Sequence, residues 1–255
     1  KGAVDAREVH ALTGAPGLTA GTAQLSATGH GTRTEFTADG LAGITGGANR
    51  EGSVHITGAS ATTHVHVTQD QIALTGIHAH LASGGSLQGT LLLTNWYGAV
   101  STSSPAARTA PEKGAIRAQL AGFSLDSILD AVAPPRFRRL GFATEATGTA
   151  AVDWTGPFSS LTGTVNVTVT PPPTTPPNEV PATGVVNATY VQRSGTVLVG
   201  SLQIHTPASE LEMAGTLGVY PVTRPSEINA SVTTRNLSEF NPILSAFGIA
   251  VPGAA

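Results

Sequence analysis

The chain has no cysteine and a single methionine among its 255 residues. Without thiols there is no disulfide scaffold and no thiolate metal site, so zinc fingers and iron–sulfur clusters are excluded. Charge is scarce too. Charged residues make up 11% of the chain, less than half the ~25% of an ordinary soluble domain. The formal net charge of −3 leaves no electrostatic footprint for nucleic acid, and no such partner is expected. Aromatics stand at 5%. No run approaches the roughly 18 apolar residues that would cross a bilayer as a helix. Lys1 is not followed by a charged-then-apolar leader, so no targeting segment is visible and the chain reads as part of something longer. What is present is 40% hydrophobic residues, 30 Gly, 17 Pro and abundant Thr, a β-type composition with enough aliphatic surface to bury.

Alternation is the strongest pattern. In Thr63-His64-Val65-His66-Val67-Thr68 apolar residues occupy odd positions and polar ones even positions, which predicts a half-buried strand. A two-residue turn at Gln69-Asp70 predicts that Val67 faces Ile72 and Val65 faces Leu74, with apolar faces matched. Beyond Gly76 the apolar positions change parity, to Ile77, Ala79 and Leu81. One extra residue at Thr75-Gly76 restores the face, the signature of a β-bulge. Leu87, Leu91 and Leu93 continue the row, with Leu92 as an exception. The second half repeats the arrangement. Val197 and Val199 precede Gly200, then come Leu202, Ile204, Leu211, Met213, Leu217 and Val219. Gly89-Thr90-Leu91 even recurs as Gly215-Thr216-Leu217, and self-similarity at this scale predicts stacked strand units.

Between these stretches, Phe123 to Val132 has Leu125, Ile128, Leu129 and Val132 at helical spacing. Ser124 serves as N-cap and Pro134-Pro135 as stop. Asn236 to Gly248 is a second short helix candidate. The predicted organisation is therefore a first β unit over 1–122, a second over 123–236 opening with a short helix, and the start of a third over 237–255. Thr22 to Gly29 and Thr32 to Ala38 read as weakly apolar strands and Leu41 to Gly47 as a glycine-rich turn. Val165, Val167 and Val169 alternate within the strong strand Thr164 to Thr170. Pro171 to Pro177 reads as a stiff polyproline II surface spacer rather than a ligand for a proline-reading domain.

Catalytic signatures are absent. There is no Gly-x-Ser-x-Gly elbow, no phosphate-binding loop and no dinucleotide fingerprint, so neither an enzyme nor a cofactor is expected. Glu210 and Glu212 read as a solvated outer row. His64, His66, His78 and His80 fall on one polar face, and imidazoles spaced by two can bind zinc or copper. The two pairs sit at different heights, however, and no carboxylate is placed in sequence to orient the rings. A polar outer row is the favoured reading and no metal is assigned. The opposite face is aliphatic and poor in aromatics. It suits an ordinary β core, the simpler reading of periodicity alone, or a groove for alkyl chains.

The phrase Asp70 to Leu81 followed by Gly85-Ser86-Leu87-Gln88-Gly89-Thr90-Leu91 resembles the AsmA/TamB-like proteins of diderm bacteria. So does Phe123 to Val132 followed by Gly148 to Pro157 and Leu161-Thr162-Gly163-Thr164-Val165. The resemblance covers most of residues 50 to 250 and lies in phrasing rather than in a sharp motif. It implies an all-β, elongated antiparallel groove, an open U-shaped sheet of repeated strand units with short connecting helices. It further implies an interior segment of a periplasmic parent anchored in the inner membrane, which shields phospholipid acyl chains on their way to the outer membrane. An outer-membrane β-barrel assembly protein is the implied partner. The family has no catalytic residues to carry over. Its functional positions are inward apolar rows, assigned here by alternation. In the first half they are Val65, Val67, Ile72, Leu74, Ile77, Leu81, Leu87, Leu91 and Leu93. In the second they are Val165, Val167, Val169, Val197, Val199, Leu202, Ile204, Leu211, Met213, Leu217 and Val219. The rival from another class is a structural or adhesive β-solenoid of a cell-surface protein, which would be closed and dry.

Overall fold

A computed structural model describes residues 2–5, 18–32, 35–51, 54–97, 110–132, 141–221, 223–241 and 244. Thirteen strands form one antiparallel sheet. Its first half is β1 (Gly2–Asp5), β2 (Leu18–Gly31), β3 (Phe36–Glu51), β4 (Val54–Thr68), β5 (Gln71–His80), β6 (Ser86–Thr94) and β7 (Lys113–Ser124). A minor parallel pair, β8 (Phe142–Ala143) with β11 (Val180–Pro181), stands apart from it. The main sheet continues through β9 (Glu145–Thr155), β10 (Thr162–Thr170), β12 (Thr183–Val191), β13 (Thr196–His205), β14 (Ser209–Gly218) and β15 (Glu227–Thr234). Neighbours in the sheet follow chain order, so the topology is a meander, with β1 and β15 as its outermost strands and no closure among the described residues.

Alternation explains most of these pairings. Val67 faces Ile72 and Val65 faces Leu74 across the Gln69-Asp70 turn, as the pattern predicts. The register shifts at Thr75-Gly76, where two residues of β5 oppose Thr90 of β6. Gly76 has φ +56°, a left-handed conformation that costs a residue with a Cβ about 1–2 kcal/mol. The second predicted bulge falls at Gly200-Ser201, between Val199 and Leu202. A third, unforeseen from the sequence, sits at Ala121-Gly122 opposite Thr147 and turns Phe123 to the apolar side.

Two expectations fail in the first fifty residues. Leu41 to Gly47 is not a turn but the middle of β3, paired on both sides with β2 and β4. Gly40, just before it, serves close approach: a Cβ there would come 2.6 Å from that of Ala27. Of Thr32 to Ala38, strand begins only at Phe36; the Thr32 amide donates to the Glu35 carbonyl, and Arg33 and Thr34 lie outside the described residues. The glycines of Leu41 to Gly47 read from sequence as breakers, but ladder pairing overrides local preference in a sheet interior.

Helix α1 spans Leu125–Val132. Phe123 and Ser124, placed with the helix by periodicity, instead finish β7. The Ser124 hydroxyl accepts from the Ser127 amide at 3.1 Å, the N-cap bond expected of it. Pro134 and Pro135 lie outside the described residues. Of Asn236 to Gly248, Leu237–Phe240 forms a 3-10 turn capped by Asn236, and most of the remainder is likewise outside. Residue 122, the predicted unit boundary, lies inside β7, and the sheet runs on through it. The proline segment is a largely exposed loop that leads into β11.

Buried apolar residues are few. Among the described residues they are Ala118, Ala143, Ala146, Trp154, Val169, Val180, Ala182 and Val199, and no large side chain is fully buried. Most of these cluster where β8 and β11 meet the foot of β9 and β10. Apart from the two-stranded β8–β11 pair, no further sheet accompanies the main one among the described residues, so the ordinary sandwich core that periodicity alone favoured is not found there.

Candidate functional site

Paired residues in an antiparallel ladder point to the same side, so register turns strand-by-strand alternation into rows that cross the sheet. One row runs Ala61, Ala79, Leu87, Leu120, Gly148, Val167, Val186, Leu202, Met213 and Ala230. The next runs Ile77, Gly89, Ala118, Ala150, Val165, Ala188, Val199, Gly215 and Ile228. A third runs Gly40, Val65, Leu74, Leu91, Ile116, Val152, Gly163, Tyr190, Val197 and Leu217. Shorter rows flank them: Val67, Ile72, Leu93, Gly114 and Trp154 on one side, and Phe123, Ala146, Val169, Gly184, Ile204, Leu211 and Val232 on the other. Apart from the Tyr190 hydroxyl and the Trp154 indole N–H, no side chain in these rows carries a polar group.

The opposite face carries the complementary row Thr62, His78, Gln88, Gln119, Thr149, Asn166, Asn187 and Ser201. Leucines on the same strand provide an internal control. Leu91 and Leu93 are half-buried while Leu92 between them is 42% exposed. In β13, Val199 is 6% exposed and its neighbour Leu198, facing the other way, 52%. Shallow depressions open between the rows of the polar face. One of about 590 Å³ is lined by His78, Gln88, Thr90, Arg117, Gln119 and Asn166.

The apolar face is bounded at both ends of the strands in its first half. At one end Phe36 meets Trp96 and Tyr97 edge-on, with ring centroids 6.3 and 5.5 Å away, and the Trp96 indole donates to the Thr68 carbonyl. The Trp96-Tyr97 pair thus reaches across three strand spacings to β3. At the other end α1 packs against both β4 and β7. Its buried Ser127 donates from the hydroxyl to the Ser83 carbonyl in the β5–β6 turn. In the second half Glu239 of the 3-10 turn does the equivalent. It accepts from the Thr206 hydroxyl at 2.7 Å, the Ala208 amide at 2.9 Å and the Ser209 hydroxyl at 2.6 Å. Burial opposes its ionisation, but these three hydrogen bonds outweigh it and hold its pKa below the usual glutamate value.

Of the twenty residues assigned by alternation, eighteen fall in the apolar rows. Leu81 and Val219 do not. Each lies in a turn just beyond a strand, Leu81 bonded through its amide to the Gly85 carbonyl and Val219 to the Gly195 carbonyl. Ile116, Leu120, Val152, Val186 and Ile228 belong to the rows and were missed. Adjacent Val185-Val186 leaves parity ambiguous in sequence, and the Gly122 bulge hides the continuity of β7.

All four histidines do share the polar face, His78 opposite Thr62 and His80 opposite Ser60. The expectation that no carboxylate orients them is overturned for His66, whose Nδ1 lies 2.6 Å from Asp39 Oδ1 on the neighbouring strand. Asp39 is remote in sequence, so only β3–β4 pairing brings it there. Among the described residues no three His, Asp or Glu side chains converge on a point that would hold a metal ion. No family model, curated protein or solved structure matches the chain.

Proposed function

We propose that the apolar face is the inner wall of an elongated open groove that shields lipid acyl chains. In this reading the chain is a non-enzymatic segment of a longer AsmA/TamB-like periplasmic protein that carries phospholipid between the two membranes and works with an outer-membrane barrel. The observation that carries the proposal is the set of apolar rows running through as many as ten strands of the sheet, with no second large sheet among the described residues. A conventional domain covers such a surface, because contiguous apolar area left in water is costly.

Several features support a face curved inward. Side chains converge on the inside of a curve and splay on the outside. The half-buried apolar leucines, the exposed polar-side ones and the depressions between the outer rows all fit that sense of curvature. The repeated-unit reading is supported by the order hairpin, strand, helical turn, with Ser127 or Glu239 gripping the preceding hairpin's turn. Binding would be passive. Each buried CH₂ contributes ~0.8 kcal/mol, and a chain lying along a row meets a similar aliphatic step every ~4.8 Å. No position holds the tail much better than the next, so the tail slides.

The test is lipid content and probe binding of the purified full chain. Phospholipid is expected on mass spectrometry of the organic extract, and a fluorescent fatty acid should bind. Leu91→Asn should weaken that binding several-fold, and Leu92→Asn should not. Absence of both lipid and probe binding, or equal effects of the two variants, overturns the proposal and leaves the dry structural solenoid as the better reading.

A further inference from the structure

Among the described histidines, only His64 and His66 combine a second imidazole at strand spacing with an orienting carboxylate. They stand two residues apart on β4 and project from its polar face, their Cα atoms about 6.6 Å apart along the strand. Asp39 of β3 holds His66, with Oδ1 2.6 Å from its Nδ1. A carboxylate only accepts, so Nδ1 carries the proton and the Nε2 lone pair is left for a ligand. Such an outer partner fixes the tautomer and orientation of metal-bound imidazoles. The other histidines lack one feature or the other. His78 and His80 repeat the spacing on β5, but Thr62 and Gln88 flank the first, and Ser60 and Ser86 the second. His205 lies 3.6 Å from Glu210, with Gln203 and Pro207 rather than an imidazole two residues to either side. His64 itself is exposed and faces Leu41 on β3 and Thr75 on β5, neither of which competes for its ring. That ring passes over Gly76, 3.7 Å from where a Cβ would stand. The bulge glycine thus leaves it room to turn toward His66.

We propose that His64 and His66 chelate one copper(II) ion, with Asp39 as the positioning residue and water in the remaining places. The ion's identity follows from the donors. Structural zinc takes four protein ligands in a tetrahedron, and no third His, Asp or Glu converges as a ligand among the described residues. Two imidazoles and water on an open face instead make a tetragonal nitrogen–oxygen set. That set suits copper(II), the most tightly bound of the divalent first-row ions. The site lies on the face opposite the apolar rows, so it does not depend on what those rows bind.

The absence of cysteine removes thiolates as competing ligands. Titrated with copper(II), the full chain without an affinity tag should take up one tight equivalent by calorimetry. Its electron paramagnetic resonance spectrum should be tetragonal and split by two nitrogens. Zinc should bind at least tenfold more weakly. His64→Gln and His66→Gln should each weaken copper binding at least tenfold and leave splitting from one nitrogen. Asp39→Ala should weaken it about tenfold with both nitrogens retained. Replacing His78 and His80 together by Gln should change neither the affinity nor the spectrum. Absence of a tight equivalent, or its loss in the His78→Gln/His80→Gln double variant, overturns the inference. Asp39→Ala binding as tightly as wild type also overturns it, because the carboxylate is what singles out this pair. Zinc binding as tightly as copper does the same, because the donor set would then be a different one.

Discussion

Two regions of the sheet arrive at one arrangement by different chemistry. In the first, β5, β6 and β7 lead into α1. In the second, β13, β14 and β15 lead into the Leu237–Phe240 turn. Each opens with a bulged strand, yet Gly76 is left-handed at its bulge and Gly200 is not among the residues of positive φ. Each helical element grips the turn of the preceding hairpin, one through the neutral Ser127 hydroxyl and the other through the Glu239 carboxylate. The first region lies inside the sheet, with β9 beyond β7, while β15 of the second is the outermost strand among the described residues. What the two share is alternation plus one inserted residue that keeps apolar side chains on a single face. The means of insertion and of locking are interchangeable, because either satisfies the same local geometry.

The largest contrast should come from burying charge. Leu91 lies between Leu74 and Ile116, whereas Leu217 has Val197 on one side and no residue of β15 paired with it. Leu91→Asp should therefore cost about 3 kcal/mol in urea unfolding and Leu217→Asp about half that. Equal losses would mean that the inner and edge regions are not distinguished by neighbouring strands.

The bulges come next. Gly76→Ala must place a Cβ at φ +56° and should cost about 1–2 kcal/mol. At Gly200 the nearest atom to a new Cβ is the Asn187 carbonyl oxygen at 3.8 Å, so Gly200→Ala should stay within about 0.5 kcal/mol of wild type. Thermal melts of the two variants decide this. A drop at Gly200 matching that at Gly76 would show the bulges to be alike after all.

The locks give the smallest and most specific effect. Ser127→Ala removes a buried hydroxyl bonded to the Ser83 carbonyl and should cost about 1 kcal/mol at any pH. Glu239→Gln should cost roughly 0.5 kcal/mol or less at neutral pH, given partial exposure. Because the folded pKa of Glu239 is lowered, its contribution is fully present above the ordinary glutamate value of about 4.3. It is lost as pH falls through the lower folded value. The gap between wild type and Glu239→Gln should accordingly close in acid while that of Ser127→Ala persists. Stability curves of the three proteins from pH 7 to pH 3 check the sign.

Much of this is legible in the chain. The facing of Val65 with Leu74, the bulges at Gly76 and Gly200, and the Ser124 cap all follow from period and turn chemistry within a few residues. The failures share a cause as well. In β3 the glycines around Leu41 read as a turn, and only pairing with β2 and β4 on both sides makes them strand, with Ser26 and Ala27 of β2 close against Gly40. His66 gains a carboxylate only because β3 lies beside β4. Phe36 finds Trp96 and Tyr97 only because the chain after β6 returns across the strand ends.

Period-two alternation and the extra residue at a glycine are local properties, and they decide from the chain alone that each strand has one apolar side. Whether those sides join is not local. Register across β7–β9 and β10–β12 bridges intervening segments with no tight turn to set it, so it is chosen by matching faces over the whole sheet. Tertiary pairing therefore made separate alternating strands into continuous rows, and left that face without a second layer among the described residues.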